Sequence, residues 1–334
     1  MTDTSDLTAS LRSIGVATAD EEPRYEPLTG GVSSEIWRVD LRRGPICVKR
    51  PLPKLRVATD WFAPVERSQY EVRWLRLARE IIPDSVPKVL GFDPLLHVIA
   101  MTYLNPSTHR QWKTDLREGR VDHAIAAAVG DRLARVHAAT SGRADVEEAF
   151  PPNDIFYKIR LEPYFEEAAR RHSDVASLLH ALVAKTIGVR RALVHGDVSP
   201  KNIMIGPAGP IFLDAEAACY GEPAFDLAFC LTHLLLKCLW TPASTPEFLR
   251  SFDTLGANYL RGVTWESRWS LEARAAALLP GILLARIDGK SPVEYVTEES
   301  QRSHARKVAR ALLIEHPRRL ADIRVVWSED LPLG

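Results

Sequence analysis

The chain has 334 residues, 46% of them hydrophobic and 26% charged, which is the composition of a water-soluble globular protein long enough for two domains or one two-lobed unit. Its 43 basic residues balance 43 acidic ones, so the overall charge points neither to nucleic acid nor to a membrane surface as partner. The four cysteines, Cys47, Cys219, Cys230 and Cys238, lie singly in apolar segments without CxxC spacing, which reads as reduced thiols in a cytoplasmic protein and not as a zinc site or a redox pair. The opening MTDTSDLTASLRSIG lacks the basic start and apolar run of a secretory signal. The run LAFCLTHLLLKCLW is broken by His233 and Lys237, short of the roughly 20 apolar residues of a membrane span.

In chain order, Leu7, Leu11 and Ile14 stand at helical spacing and predict a short amphipathic helix over residues 6–14. Between about 25 and 104 the pattern is one of strands. YEPLTGGVSSEIWRVDL reads as two strands around a turn, PICVKR as a third, KVLGFD and HVIAMTYL as two more. One helix, about Val65 to Ile82, interrupts them with stripes at Tyr70, Trp74, Leu77 and at Glu71, Leu75, Ala78. The expectation is a five-stranded sheet with one helix, an N-terminal lobe of residues 1–104. After NPST the strands nearly vanish. DHAIAAAVGDRLARVHAAT, LEPYFEEAARRHSDVASLLHALVAKT and SRWSLEARAAALLPGILLARI read as helices of a second lobe, residues 105–334. Within it, Asp288 and Gly289 read as a turn, and Ser291, Pro292 and Glu294 as a capped helix start.

The exception in the second lobe is ALVHGDVSPKNIMIGPAGPIFLDAEAA, residues 192–218. If NIMI and IFLD pair around Ala208, Ile203 faces Leu213, and Asn202 and Asp214 meet at the open end of the ribbon. An amide oxygen and a carboxylate held that way suit Mg²⁺, which takes hard oxygen ligands and keeps room for phosphates. Asp197, five residues earlier, lies near the same ion and is free to orient a substrate hydroxyl and accept its proton. Singly, each of these residues reads equally as a cap or turn former.

VHGDVSPKN, FLDAE and GEPAFDLA resemble the signature blocks of the aminoglycoside phosphotransferase and choline kinase superfamily, the small-molecule branch of the protein-kinase-like fold. The resemblance covers nearly the whole chain. It implies a two-lobed α+β fold and transfer of a phosphoryl group from ATP or GTP, with Mg²⁺, to the hydroxyl of a small molecule. In that pattern Asp197 is catalytic, Asn202 and Asp214 hold metal, and Lys49 of ICVKR contacts the phosphates and pairs with a helix glutamate, Glu71 in preference to Glu66. Gly30, Gly31, Ser33 and Ser34 of TGGVSSE form the phosphate-covering loop, and Met101 and Tyr103 lie where backbone groups meet the nucleobase. His195 reads as a holder of backbone more than as a base. Glu216 reads as reaching a second ion or a water, or else as an exposed acid, and Asp226 as an acceptor of catalytic-loop N–H groups. Acceptor contacts are expected from Tyr157, Arg160 and Tyr164 or from Arg286, Asp288 and Lys290, and residues 51–70 either cover the acceptor or form a surface excursion. The acceptor's identity and the oligomeric state are not legible. A pseudokinase, the alternative reading, would have lost one of these groups, and no room exists for a protein kinase's activation segment.

Overall fold

The computed structural model describes residues 4–29, 31–56, 60–152, 154–329 and 331. Helix α1 (Ser5–Ser13) precedes β1 (Arg24–Pro27), β2 (Ser34–Leu41) and β3 (Gly44–Pro51). Helix α2 (Arg67–Ile81), β4 (Val89–Asp93) and β5 (Val98–Thr102) follow, and the five strands form one antiparallel sheet in the order β1-β2-β3-β5-β4. Side chains alternate across a strand. Ile46 and Val48 of β3 therefore face the apolar layer of Leu7, Leu11, Val39 and Val98, whereas Lys49 faces the other way, toward α2. On α2 the buried positions Arg67, Glu71, Trp74, Leu75 and Ala78 form one helical stripe, so a carboxylate and a guanidinium share the inward face with apolar groups.

The remainder is mainly helical. It comprises β6 (Arg110–Gln111), α3 (Trp112–Arg117), α4 (His123–Thr140), α5 (Ala144–Ala149), a π-helical segment Tyr157–Glu166, α6 (Glu167–Arg171) and α7 (Ala176–Ile187). Then come β7 (Ala192–Val194), β8 (Ile203–Gly206), β9 (Gly209–Phe212), β10 (Cys219–Gly221), α8 (Pro223–Trp240), α9 (Thr245–Arg261), α10 (Arg268–Asp288), α11 (Glu299–Glu315) and α12 (Leu320–Glu329). By length and composition α8 is apolar enough to cross a membrane. Here it is the central core helix, with 94% of its span buried against the surrounding helices.

Three sequence expectations are corrected. The stretch 161–186 is not one helix: Pro163, which lacks an N–H, lies in the wider π coil, and His172 leaves helical geometry before α7 starts at Ala176. No helix starts at Ser291, because its hydroxyl and carbonyl both accept from Arg286, Lys290 N–H donates to the Pro163 carbonyl, and the next helix begins at Glu299. The β8–β9 register differs by one residue, with Ile203 opposite Phe212. The turn is the two residues Pro207 and Ala208, closed by Gly209 at φ +104°, where a side chain would be strained. Asn202 thus stands opposite Leu213, whose N–H it accepts at 2.9 Å, and Asp214 follows in the left-handed region at φ +66°.

Candidate active site

Asp226, in the first turn of α8 and fully buried, accepts the His195 N–H at 2.7 Å and the Gly196 N–H at 2.8 Å. Gly196 sits at φ +78°, and a Cβ there would lie 2.8 Å from the Ala217 carbonyl oxygen, so this loop requires glycine. His195 is spent on backbone. Its Nδ1 accepts the Asp197 N–H at 3.2 Å and its Nε2 donates to the Leu213 carbonyl at 3.1 Å, while the ring meets Trp74 edge-on. Burial pushes the imidazole below its ordinary range, consistent with a neutral ring that ties the loop to the end of the hairpin. Asn202 Nδ2 donates to the Asp197 carbonyl at 3.1 Å, which leaves the amide oxygen unused by that bond.

Across the cleft, Lys49 is 5% exposed and its Nζ lies 2.9 and 2.7 Å from the two Glu71 oxygens while also donating to Asp214. An unpaired ammonium at that depth would be costly, and two carboxylates satisfy it. Burial opposes the lysine's charge, but Asp214 and Glu71 outweigh it and hold the proton firmly. Burial likewise raises Glu71, to about 7, against the pull of Lys49, whereas at Asp214 the lysines Lys49 and Lys201 prevail over burial and keep the carboxyl below its usual range. The structure thus brings Lys49, Glu71, Asp214, Asn202 and Asp197 to one cleft between the sheet and the helices.

Glu216 is neither exposed nor free: it is 5% exposed and accepts from Arg67 Nε at 2.9 Å. Arg67, which sequence reasoning passed over, is fully buried and also donates to the carbonyls of Ser33 (2.6 Å), Leu52 (2.8 Å), Pro64 and Ala63, fastening the glycine turn to α2. Gly31 leaves no room for a side chain, since a Cβ would sit 2.3 Å from the Ser34 carbonyl oxygen. Ser33 and Ser34 are both buried, and the Ser34 hydroxyl has no partner among the described residues. Gly30 lies outside the described residues. Met101 is paired with Cys47 and Val89 in β5, and Tyr103 follows the strand under Arg38.

Arg160 does not point into open space. Its guanidinium sits 2.8 Å from Asp197 Oδ2 and donates to the Gly196 carbonyl at 2.6 Å, and Lys201 Nζ is 3.5 Å from the same carboxylate oxygen. Tyr157 donates to Glu166 (2.7 Å), and Lys290 pairs with Glu162. Asp288 is saturated by Arg306 (2.7 Å) and His172 (2.8 Å), so a carboxylate expected to meet the acceptor instead clamps α10 to α11. Arg286 is 6% exposed and without a carboxylate partner among the described residues; it donates to Tyr164 Oη at 3.1 Å. Of residues 51–70, Trp61 is buried, its indole donating to the Lys158 carbonyl, and Arg56 N–H reaches the Val32 carbonyl, so this stretch bridges the glycine turn to the helices. Residues 57–59 lie outside the described residues.

With this geometry in view, comparison with known proteins is informative. The chain is 29% identical to a methylthioribose kinase of Erwinia tasmaniensis over 60% of this chain and 56% of that one, and it spans about half the length of the curated relatives it matches most strongly. Two solved structures share the fold. The amicoumacin kinase hAmiN in complex with AMP-PNP, Ca²⁺ and Ami superposes with a TM-score of 0.57 at 13% identity, covering 95% of both chains. A choline/ethanolamine kinase family protein from Mesorhizobium loti gives 0.51 at 19%, covering 96% of this chain and 99% of that one. The family model described as the phosphotransferase enzyme family matches residues 24–267, most of the chain, and the protein belongs to that family.

Proposed function

We propose that this chain is a small-molecule kinase that transfers the γ-phosphoryl group of ATP or GTP to a hydroxyl of a small acceptor. The observation that carries the reading is the Lys49 ammonium shared between Glu71 and Asp214, with the Asp197 loop anchored beside it through His195 and Asp226. Residues 1–104 and 105–334 act as two lobes around that cleft. Lys49, positioned by Glu71, meets the phosphates; Gly31, Ser33 and Ser34 cover them; backbone groups of Met101 and Tyr103 meet the base. Arg160 fixes one oxygen of Asp197 and leaves the other for the acceptor's proton.

The donor set fits magnesium. Among the described residues no group of three or more His, Cys, Asp or Glu side chains is built to hold a metal, and an amide oxygen with one carboxylate suits an ion that keeps waters and phosphate oxygens as ligands. When bound, magnesium would neutralise phosphate charge at the transferred group. Asn202 and Asp214 would hold it, and Asp197 would orient the hydroxyl and take its proton. The kinases among the relatives favour a small hydroxylated acceptor. The test is ATP consumption by the purified protein against a panel of hydroxylated metabolites and aminoglycosides. Turnover that requires both an acceptor and a divalent ion is expected, and absence of nucleotide binding would contradict the reading.

A further inference from the structure

Beneath the catalytic loop lies a cavity of about 400 Å³, large enough for a small metabolite, lined by Gln111, Lys113, Arg117, Trp240, Glu294 and Tyr295. Gln111 donates to the Lys201 carbonyl at 2.8 Å, so the cavity adjoins the segment that carries Asp197. The lining rings of Trp240 and Tyr295 rest against a buried lysine. Lys237 is 1% exposed, with Nζ 3.6 Å from the Tyr295 ring centroid and 4.1 Å from that of Trp240, and it has no carboxylate in ion-pair contact among the described residues. Arg286, which bonds Tyr164 and Ser291 through Nη1, has a buried Nε without a partner among the described residues, as has the Nε2 of His233, one turn before Lys237 on α8. The Tyr295 hydroxyl and the Ser199 hydroxyl, two residues past Asp197, are also buried and without a bond among the described residues. A chain of contacts runs from Arg286 toward the reaction centre: the Tyr164 hydroxyl accepts from Arg286, and Arg160, 5.9 Å from the Tyr164 ring centroid, contacts Asp197.

Buried polar groups are normally paired, and buried cations above all. Lys113 and Arg117 line the cavity, Lys237 lies against its Trp240 and Tyr295 rings, and Arg286 reaches the neighbouring Tyr164; among the described residues the only carboxylate lining the cavity is Glu294, already engaged by Lys113. The aromatic faces of Trp240 and Tyr295 offset part of the cost of burying Lys237 but supply no charge. The missing partner is an anion.

We propose that the acceptor is an anionic hydroxy compound, its carboxylate or phosphate group bound by Lys237, Arg286 and the mouth cations Lys113 and Arg117, its hydroxyl presented to Asp197. This rests on the kinase reading and narrows its substrate class away from amino sugars and choline-like cations. Burial and then the cations Arg286, Lys237, Lys201 and Lys113 drive the His233 imidazole to its neutral form.

The test is calorimetric titration of the full chain with size-matched sugar acids, sugar phosphates, neutral alditols and amino sugars, each with and without a non-hydrolysable ATP analogue. The best anion is expected to bind at least about tenfold tighter than its neutral counterpart. The two anionic arms distinguish a carboxylate from a phosphate site. Lys237→Met, which keeps the apolar stem, should erase that preference while nucleotide affinity and the melting midpoint are retained. Should that variant fail to fold, Lys113→Gln at the mouth reports the same preference, as does the wild-type ranking alone. Neutral or amino compounds binding as tightly as anions, or no anion binding up to about 10 mM, overturns the proposal. Loss of nucleotide binding in the same titrations would instead overturn the kinase reading, whatever the acceptor ranking.

Discussion

The two sides of the cleft differ in how completely buried charge is paired. On the sheet side each buried cation is matched: Lys49 by Glu71 and Asp214, Arg67 by Glu216. On the helical side Arg160 is matched by Asp197, but Lys237 and Arg286 are as deeply buried and lack acidic partners among the described residues. A paired site is complete in itself and depends on geometry, because removing one partner strands the other. An unpaired site is completed by something from solution. The contrast assigns the first side to holding groups in place and the second to selecting a ligand.

The largest expected effect lies on the paired side. Arg67→Met strands the buried Glu216 carboxylate and four carbonyl contacts, and should lower unfolding free energy by about 3–5 kcal/mol. Glu216→Gln in the same chain should recover part of it. Denaturant titration reads both, and a loss below about 1 kcal/mol would show that the pair adds nothing to the sheet side. Next is Lys49→Met, which should weaken nucleotide use about tenfold or more with the fold intact, equivalent to roughly 1.4 kcal/mol, measured as kcat/KM for ATP. An unchanged value would mean that the paired lysine is structural only.

The smallest effect sharpens the unpaired side. Burial, then Lys113 and Arg286 against the opposing Glu294, holds the Lys237 ammonium well below the ordinary lysine range. Its neighbours include His233 one turn away on α8 and the rings of Trp240 and Tyr295. An incoming anion stabilises the protonated form, so anion binding should take up protons and weaken as pH rises. Calorimetry in buffers of different ionisation heat measures the uptake. Anion affinity that is flat or rising with pH would contradict the sign.

How much was legible in the sequence follows the same division. The sheet, α2 and the spacing of Asp197, Asn202 and Asp214 could be read because alternation, helical periodicity and a short hairpin are local properties. The hairpin register escaped by one residue because it depends on Gly209 adopting a positive φ in a two-residue turn. Arg67, Lys201, Lys237 and His233 were invisible as functional candidates. Each is one charged or polar residue in a helix or loop; burial is what makes Arg67, Lys237 and His233 notable, and it arises only when distant segments pack. Asp288 erred in the other direction: a carboxylate in a loop-like sequence suggested a ligand contact, while Arg306 lay eighteen residues away in sequence and one helix away in space.

The central claim is that Asp197 serves the acceptor while Asp214 serves the metal-bound nucleotide. It is tested most directly by pairing Mg²⁺-dependent nucleotide calorimetry with single-turnover phosphoryl transfer on Asp197→Asn and Asp214→Asn. Asp197→Asn should retain nucleotide affinity while transfer falls by roughly 10²-fold or more. Asp214→Asn should lose the Mg²⁺ dependence of nucleotide binding itself, since it removes the one carboxylate of the proposed two-ligand site. Matching losses in both variants, or full transfer by either, would contradict the account.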